Sequence, residues 1–368
     1  MPLFSWIDRR RRARRNHPPR GVLFVASGGL GDAVLFSLIL PNLKGLARAG
    51  EPVSVLMPSG TAKMSFLFGR DVEAIGVDYN RIAKDGGHRR AVGRQLYDRN
   101  FRLVVSTDYL RHPKRDEVLI RACGAAETIA MIARPWEKYD RLLARNRGLY
   151  DRLFDSSPPL LDKVIRWNRF ANWLSGEDTP APAVRLPEDQ LPAPASLQAP
   201  TIILVPFSAV PQKQSSATLF ERIVDAVPEG HDIVVAGAPD DLEKNTVFRP
   251  LLERPSVRYD SATFEDLAPT LRAARLVVSV DTATMHLAVA LGAPTLCLAS
   301  AAYVDEIVPY APEIAPPNAH FLYTPMDCQS CLGNCIHPPE DGMYPCVAQL
   351  EADVVVQKMQ ELLEGDPA

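Results

Sequence analysis

The fold of this chain is constrained most by an alternation of short apolar runs with segments of helical periodicity. Most of the runs are apolar throughout, which is typical of strands that are buried on both faces of a parallel sheet. The predicted strands cover residues 21–27, 52–58, 101–107, 201–207, 231–237, 275–280 and 294–300. Helices are predicted between them at residues 33–49, 114–123, 217–227, 265–274 and 284–291. This alternation predicts an α/β fold with doubly wound parallel sheets.

The strands fall into two sets, which predicts two Rossmann-like domains with an interdomain cleft as the ligand site. The N-terminal domain is predicted at residues 21–177 and the C-terminal domain at 201–368. A proline-rich segment, 178–200, separates them. Its composition predicts a semi-rigid linker that takes no part in a core.

The first 20 residues differ in charge from the rest of the chain. They contain seven arginines and one aspartate, although the whole protein has a formal net charge of −3 at pH 7. An acidic body with a basic tail is not typical of an enzyme that acts on nucleic acid. We predict that residues 1–20 form a disordered tail. The alternative is peripheral attachment to an anionic membrane surface, because Leu3, Phe4 and Trp6 precede the arginines.

The longest apolar stretch, residues 287–304, is interrupted by Gly292 and Pro294. These two residues predict a helix end, a turn and a strand in place of a membrane-spanning helix. The N-terminal residues also lack the apolar core of a secretory signal peptide. The sequence therefore predicts a cytoplasmic protein that is at most peripheral to the inner membrane.

The first predicted strand ends in a glycine-rich loop, Ser27-Gly28-Gly29-Leu30-Gly31-Asp32. The loop matches neither the GxGxxG dinucleotide fingerprint nor a P-loop, since no lysine follows it. Gly29 and Gly31 let the backbone approach a ligand closely. Asp32 is predicted near the first turn of the next helix, where its carboxylate repels phosphates and is suited to take a proton from a hydroxyl. The alternative is that Asp32 only caps this helix.

A second loop follows the predicted strand 275–280 and opens another helix. Thr282 and Ala283 place free backbone N–H groups at the start of that helix, which is a ready anion site next to Asp281. His286 lies in the first turn and is placed to donate to a phosphate. The alternative is a capping motif with a packed histidine.

Two further loops carry charged residues after predicted strands. The loop after strand 201–207 contains Ser208 and Lys213, whose ammonium is placed to reach a diphosphate. The alternative is a solvated lysine. A basic cluster of Arg111, Lys114 and Arg115 follows strand 101–107 and Asp108. It would hold an acidic acceptor at the carboxyl end of the strand, and a solvated surface is an equal alternative.

Four of the six cysteines are close in sequence, in a C-x2-C-x3-C-x10-C pattern: Cys328, Cys331, Cys335 and Cys346. Four thiolates at this density predict a structural Zn or Fe site. Reduced thiols without a metal are the alternative, and disulfides are disfavoured in the cytoplasm. The other two cysteines, Cys123 and Cys297, lie in apolar segments and are predicted to be buried.

These motifs, in this order, resemble glycosyltransferase family 9, the ADP-heptose:lipopolysaccharide heptosyltransferases. The resemblance rests on the GxGD at Gly29–Asp32 with Pro41 downstream, on the block Asp281–Pro294, and on the late cysteine cluster. It implies a GT-B fold, with the donor in the C-terminal domain and the acceptor in the N-terminal domain.

The resemblance also implies an activity and roles for single residues. It implies transfer of a sugar, heptose from ADP-heptose, to a hydroxyl of a cell-envelope glycan such as the lipopolysaccharide core, with inversion at the anomeric carbon and without a catalytic metal. Asp32 matches the general base of the family, and Asp281, Thr282 and His286 match its donor diphosphate site. Lys213 matches the lysine of a K-x-W-P segment, although serines stand here in place of the Trp and Pro.

Other functions stay open on the sequence alone. One alternative is a nucleotide-sugar-binding sensor or assembly protein without turnover, and another is a transferase with a protein acceptor. An NAD-dependent enzyme is disfavoured, because the GxGxxG fingerprint is missing from the first strand–helix turn.

Overall fold

The structure is a computed structural model that describes Arg15 and residues 17–365. The chain forms two compact units. Unit 1 contains the residues up to Pro159 together with Ile165–Pro180, and unit 2 contains Leu160–Val164 and the residues from Ala181 onward. Most of the predicted basic tail lies outside the described residues, so its disorder and its membrane attachment stay predictions.

Unit 1 is built on a sheet of six parallel strands in the order β3-β2-β1-β4-β5-β6. These strands are β1 (Val22–Val25), β2 (Val53–Pro58), β3 (Val72–Val77), β4 (Leu103–Ser106), β5 (Glu127–Met131) and β6 (Arg152–Phe154). The helices are α1 (Leu30–Lys44), α2 (Tyr79–Lys84), α3 (Gly86–Asp98), α4 (Asp116–Cys123), α5 (Asp140–Asn146) and α6 (Lys163–Ser175), with 3₁₀ turns at Thr61–Phe68 and Arg147–Leu149.

Unit 2 is built on a second parallel sheet, in the order β12-β11-β10-β7-β8-β9. Its strands are β7 (Thr201–Val205), β8 (Asp232–Ala236), β9 (Val257–Asp260), β10 (Leu276–Val280), β11 (Thr295–Leu298) and β12 (Ala319–Leu322). Its helices are α7 (Ala217–Asp225), α8 (Asp241–Lys244), α9 (Phe264–Ala273), α10 (Ala283–Ala290), α11 (Pro345–Ala348) and α12 (Ala352–Glu364). 3₁₀ turns occupy Glu188–Gln190, Pro211–Lys213, Thr246–Glu253 and Ala301–Tyr303.

The two sheets have the same strand order when the second is followed from β9 to β12. In each, the first strand of the unit lies beside the fourth, so β1 pairs with β4 and β7 pairs with β10. The chain reverses its direction of winding at this point, and the carboxyl ends of the two strands flank a crevice where ligands bind in such sheets. The prediction of two Rossmann-like α/β units is confirmed.

The central strands are apolar because both of their faces are covered. The four residues of β1 are at most 1% exposed, and those of β10 are fully buried. Each sheet packs against an apolar cluster that includes Leu23 and Val104 in unit 1, and Leu204 and Val278 in unit 2. This packing fixes the carboxyl ends of the central strands, from which the functional loops start.

Five strands escaped the sequence analysis: β3, β5, β6, β9 and β12. Four of them lie at sheet edges, and their residues are mixed in polarity, as in the Arg152–Phe154 and Ala319–Leu322 strands. An edge strand is only partly covered, so it does not need the continuous apolar run on which the predictions relied.

The proline-rich segment 178–200 was predicted to take no part in a core, and the structure corrects this expectation. Val184 is fully buried and Leu186 is 2% exposed. Their backbone N–H groups donate to the carbonyls of Ile314 and Ala290 at 2.9 and 2.8 Å, within unit 2. Part of this segment therefore enters a core, because two apolar residues among the prolines find partners there.

Length and hydropathy of the helices bear on the membrane question. Among the residues that the structure describes, no helix is both long enough and apolar enough to cross a membrane.

Candidate active site

The glycine-rich loop of unit 1 leads directly into α1. The helix begins at Leu30, earlier than predicted, with Gly29 as its N-cap residue and Asp32 in its first turn. The Gly29 N–H donates to Oδ2 of Asp32 at 2.8 Å. Asp32 thus satisfies one of the backbone donors at the helix start, as the capping alternative expects. A carboxylate accepts more than one hydrogen bond, so this contact leaves acceptor capacity for a hydroxyl.

Gly28 is the glycine on which the position of Asp32 depends. A Cβ atom at Gly28 would lie 2.5 Å from Oδ2 and 2.6 Å from Cβ of Asp32, whereas a Cβ at Gly29 would lie 3.9 Å from the same Oδ2. The space that Asp32 occupies therefore exists only because residue 28 has no side chain. Sequence reasoning named Gly29 and Gly31 as the acceptor-side glycines and assigned no role to Gly28.

Asp32 lines a small cavity inside unit 1. The walls contain two carboxylates and otherwise consist mainly of apolar residues: Ala26, Gly28, Asp32, Ala33, Phe36, Met57, Thr61, Asp108 and Trp167. The Phe36 and Trp167 rings meet edge to face, with centroids 5.6 Å apart. Apolar walls lower the local dielectric, which strengthens every interaction of the two carboxylates.

The predicted acceptor-side basic cluster does not act as a unit. Arg111 is 2% exposed, its guanidinium donates to the Met131 carbonyl at 2.7 Å, and it pairs with Glu117 at 3.4 Å. Its side chain is turned into the core and is unable to meet an acceptor, so we do not propose it as a contact. Lys114 is exposed, and Arg115 is partly exposed.

An aromatic group lies next to Lys114. Its Nζ atom is 6.0 Å from the centroid of the Tyr139 ring, and Trp136 meets Tyr139 with centroids 4.7 Å apart. His112 packs against both rings. Lys114 therefore extends a partly exposed aromatic surface at the carboxyl end of β4, and the sequence analysis did not foresee the aromatic part.

In unit 2 the second motif places a buried acid beside a lysine. Asp281 follows β10 and is 3% exposed. The Lys213 Nζ atom lies 2.6 Å from its Oδ2 atom, and the Tyr303 ring centroid is 4.6 Å from the same Nζ. The carboxylate therefore holds the ammonium group in place at the carboxyl edge of the sheet. The solvated alternative for Lys213 does not describe this geometry.

His286 is buried behind the same acid. Its Nε2 atom is 3.8 Å from Oδ1 of Asp281, and its Nδ1 atom is 2.6 Å from the Tyr310 hydroxyl. Burial raises the pKa of Tyr310 well above its ordinary value, so this hydroxyl keeps its proton and holds the imidazole. At 4% exposure, His286 matches the packed-histidine alternative and still adjoins Asp281.

The start of α10 and the strand ends around it carry polar groups that lack partners. Thr282 is the N-cap residue, and its side chain makes no capping bond. The first N–H groups of the helix, from Ala283 on, have no acceptor within the helix. Within the described chain, Gln214 Oε1, Ser215 Oγ and Ser300 Oγ are buried without a hydrogen-bond partner. Such groups normally bind something, and a polar ligand would satisfy them.

Ser208 lies in the same loop as Lys213, and its hydroxyl and carbonyl both accept hydrogen bonds from residues of that loop. Its hydroxyl accepts from the Val210 N–H at 3.3 Å, and its carbonyl accepts from the Gln214 side chain at 3.3 Å. Its role as a donor-binding residue stays a prediction.

Three of the four predicted metal ligands come together. The Sγ atoms of Cys328, Cys331 and Cys335 lie within 4.8 Å of one another, whereas Cys346 is buried outside this group. Cys328 also belongs to a second group, with His337 and Asp327. Three thiols at this spacing fit a thiophilic metal, and the four-cysteine set is not assembled as predicted.

The cysteine loop is hydrogen-bonded to the turn after β11 in unit 2. The Ser330 and Leu332 N–H groups donate to the carbonyls of Ala301 and Ala302 at 2.9 and 2.8 Å, next to Tyr303. The loop thus braces the turn whose tyrosine covers Lys213. This arrangement favours a structural role for the cysteines.

Solved structures of glycosyltransferases share this fold of two doubly wound units. An E. coli ADP-heptose lipopolysaccharide heptosyltransferase II matches with a TM-score of 0.64 and 17% identity, over 93% of this chain and 98% of its own. The E. coli heptosyltransferase WaaC, with ADP-2-deoxy-2-fluoro heptose, matches with 0.63 and 21%, over 92% and 99%. The iron-containing dodecameric glycosyltransferase TibC of enterotoxigenic E. coli H10407 matches with 0.52 and 13%, over 94% and 76%.

A family model matches part of the sequence. Residues 169–328 match the model of glycosyltransferase family 9 (heptosyltransferase). This match supports the resemblance carried by the motifs. A comparison of the sequence with curated proteins finds no match.

Proposed function

We propose that the protein is an inverting glycosyltransferase that moves a heptose from ADP-heptose to a hydroxyl of a cell-envelope glycan such as the lipopolysaccharide core. The observation that carries the proposal is the position of Asp32 in a chain that matches this family model, at the first turn of α1 and in the wall of a cavity. The heptosyltransferases of E. coli named above, one of them with an ADP-heptose analogue, support the choice of donor.

Unit 2 would bind the donor diphosphate. The N–H groups at the start of α10 offer an anion site, and Lys213 supplies a positive charge that Asp281 keeps in place. As the bond between the anomeric carbon and the diphosphate breaks, negative charge grows on the leaving group. Fixed donors aimed at that charge stabilise the transition state more than they stabilise the bound donor.

Unit 1 would activate the acceptor. An acceptor hydroxyl within hydrogen-bond reach of the Asp32 carboxylate gives its proton to that carboxylate while its oxygen attacks the anomeric carbon. The attack and the departure of ADP occur on opposite faces of the sugar, so the configuration inverts. The proton leaves Asp32 for solvent after the product departs. An acidic loop is suited to this task, because it does not compete for the donor phosphates.

The test compares Asp32→Asn with the unchanged protein. Transfer is measured as ADP release from ADP-heptose in the presence of heptose-deficient lipopolysaccharide, and donor-site integrity as the Kd for ADP by calorimetry. We expect kcat to fall about 10²–10⁴-fold, as is typical for loss of a general base, with Kd unchanged. Full activity of the variant rules out Asp32 as the base. ADP binding without turnover in the unchanged protein would favour the sensor or assembly function, and turnover only with a protein acceptor would favour the other alternative.

We also propose a structural metal at Cys328, Cys331 and Cys335. Thiolates bind Zn and Fe tightly, and the iron-containing TibC structure supports iron as one of the two candidates. Such a metal would hold the loop that braces Tyr303 and would take no part in the transfer. Elemental analysis of the purified protein tests this, and a metal content far below one per chain with three titratable thiols rejects it.

A further inference from the structure

Asp108 lies opposite the glycine-rich loop because of the pairing of β1 with β4. The last residue of β1, Val25, pairs with Ser106, the last residue of β4. Ser27 and Asp108 each follow two residues later, so the two chains leave the sheet side by side. The sheet brings together residues that are 81 positions apart in the sequence.

The Asp108 carboxylate holds the first residue of the loop. Its Oδ2 atom accepts from both the backbone N–H and the hydroxyl of Ser27, the latter at 2.9 Å. Asp108 is 7% exposed, so these charge-assisted hydrogen bonds form largely away from solvent. On the other side of the loop, the Thr61 hydroxyl donates to the Gly28 carbonyl at 3.1 Å. The segment Ser27–Gly28 is therefore held from two sides.

Asp32 packs against this held segment. The missing side chain of Gly28 provides the space for the Asp32 carboxylate, and the Gly29 N–H donates to it. A shift of the loop at Ser27 would move both features at once. Asp108 and Asp32 also line the same cavity.

We propose that Asp108 is a positioning residue of the transfer reaction, which fixes the Ser27–Gly29 backbone and through it the catalytic orientation of Asp32. The inference rests on the proposed function, because it presupposes that Asp32 is the base. It adds a residue outside the glycine-rich motif to the acceptor-side machinery.

A third carboxylate, Asp116 at the start of α4, interacts electrostatically with Asp108. Its Oδ2 atom accepts from the His112 N–H at 2.6 Å. Burial, and then the charge of Asp108, raise the pKa of Asp116 to about 7. A neutral Asp116 allows Asp108 to remain the charged acceptor for Ser27 without a second full charge beside it.

The test is a double-mutant cycle of Asp108→Asn with Asp32→Asn. In the otherwise unchanged protein, Asp108→Asn should lower kcat for ADP release at least about 10-fold, with the Kd for ADP changed less than twofold. In the Asp32→Asn background it should cause no further loss, because it acts through Asp32. An equal loss in both backgrounds, or an unchanged kcat, overturns the inference. Full activity of Asp32→Asn alone overturns the proposed function instead.

Glu51→Gln is the matched control for general destabilisation. The Glu51 side chain is 7% exposed and bonds Arg102 and the Arg48 N–H, away from the glycine-rich loop and from Asp108. It should lower Tm and leave kcat unchanged, and a loss of kcat equal to that of Asp108→Asn would overturn the inference. If Asp108→Asn does not fold, Ser27→Ala removes one of the two bonds and should give a smaller loss of kcat. A crystal structure of either folded variant should show the Gly29–Asp32 hydrogen bond lengthened, and an unchanged loop counts against the proposal.

Discussion

The two units place an aspartate at the same position of their sheets, and the two aspartates have different partners. In unit 1, Asp108 stands two residues beyond Ser106, which pairs with the last residue of β1. In unit 2, Asp281 stands two residues beyond Ser279, which pairs with the last residue of β7. Each unit therefore places a buried aspartate after its fourth strand, facing the loop that follows its first strand.

What differs is the partner of the aspartate. Asp281 holds the ammonium of Lys213, so its charge is neutralised and the edge of the sheet can accept an anion. Asp108 holds the N–H and hydroxyl of Ser27. On the proposed function, the same backbone position supports the donor phosphate site in one unit and the site that faces the acceptor hydroxyl in the other.

The largest effect is expected from a single methyl group in the loop of unit 1. Gly28→Ala places a Cβ atom 2.5 Å from the Asp32 carboxylate, and that side chain has to move. A misplacement of about 1 Å costs on the order of 10²-fold in rate. We expect kcat for ADP release to fall by about that factor, with the Kd for ADP unchanged.

Gly29→Ala is the matched control for that prediction. Its Cβ would lie 3.9 Å from the same Asp32 oxygen, which is ordinary contact, and neither glycine has a positive φ that would strain an alanine. We expect the kcat of Gly29→Ala to stay within a few-fold of that of the unchanged protein. Equal kcat values for Gly28→Ala and Gly29→Ala would mean that the position of Asp32 does not limit the reaction. The catalytic role assigned to the glycine-rich loop of unit 1 would then be rejected.

A smaller effect is expected in unit 2 from Lys213→Met. This change removes the positive charge and leaves the buried Asp281 without its cation. We expect the Kd for ADP to rise at least about 10-fold, or 1.4 kcal/mol. The control is Lys244→Met, which removes an exposed lysine paired with Asp240. ADP binding that is equally strong in both variants would show that Lys213 serves Asp281 alone.

The sequence was sufficient for the parts of the molecule that depend on local pattern. The apolar runs predicted the central strands, because a strand covered on both faces must be apolar throughout. Asp32, Asp281 and His286 were proposed as site residues because each stands at or just after a strand–helix turn whose glycine, threonine and helical periodicity are visible in the sequence. Their residue types alone left the capping and packing alternatives open.

Asp108 and Gly28 show what the sequence could not supply. Asp108 is 81 residues from Ser27, and only the register of β4 against β1 brings them together. The importance of Gly28 over Gly29 depends on where the Asp32 side chain points, which no spacing rule fixes. For the same reason Arg111 was grouped with two surface residues, although its guanidinium turns inward to Met131 and Glu117.

The smallest effect concerns the pH dependence of stability, and it tests whether Asp116 is buried beside a second carboxylate, Asp108, in unit 1. Burial, and then the proximity of Asp108, raise the pKa of Asp116 to about 7 in the folded protein, from an ordinary value of 3.8. Between these two values the folded protein holds a proton that the unfolded chain has released, so the free energy of unfolding should fall as the pH rises from about 4 to 7. In Asp116→Asn this contribution is absent, so Tm should depend less on pH across that range, by several °C. The exposed Asp232→Asn is the control and should follow the unchanged protein. If Tm depends on pH in the same way in all three proteins, the pKa of Asp116 is not raised by folding and its burial beside Asp108 does not affect stability.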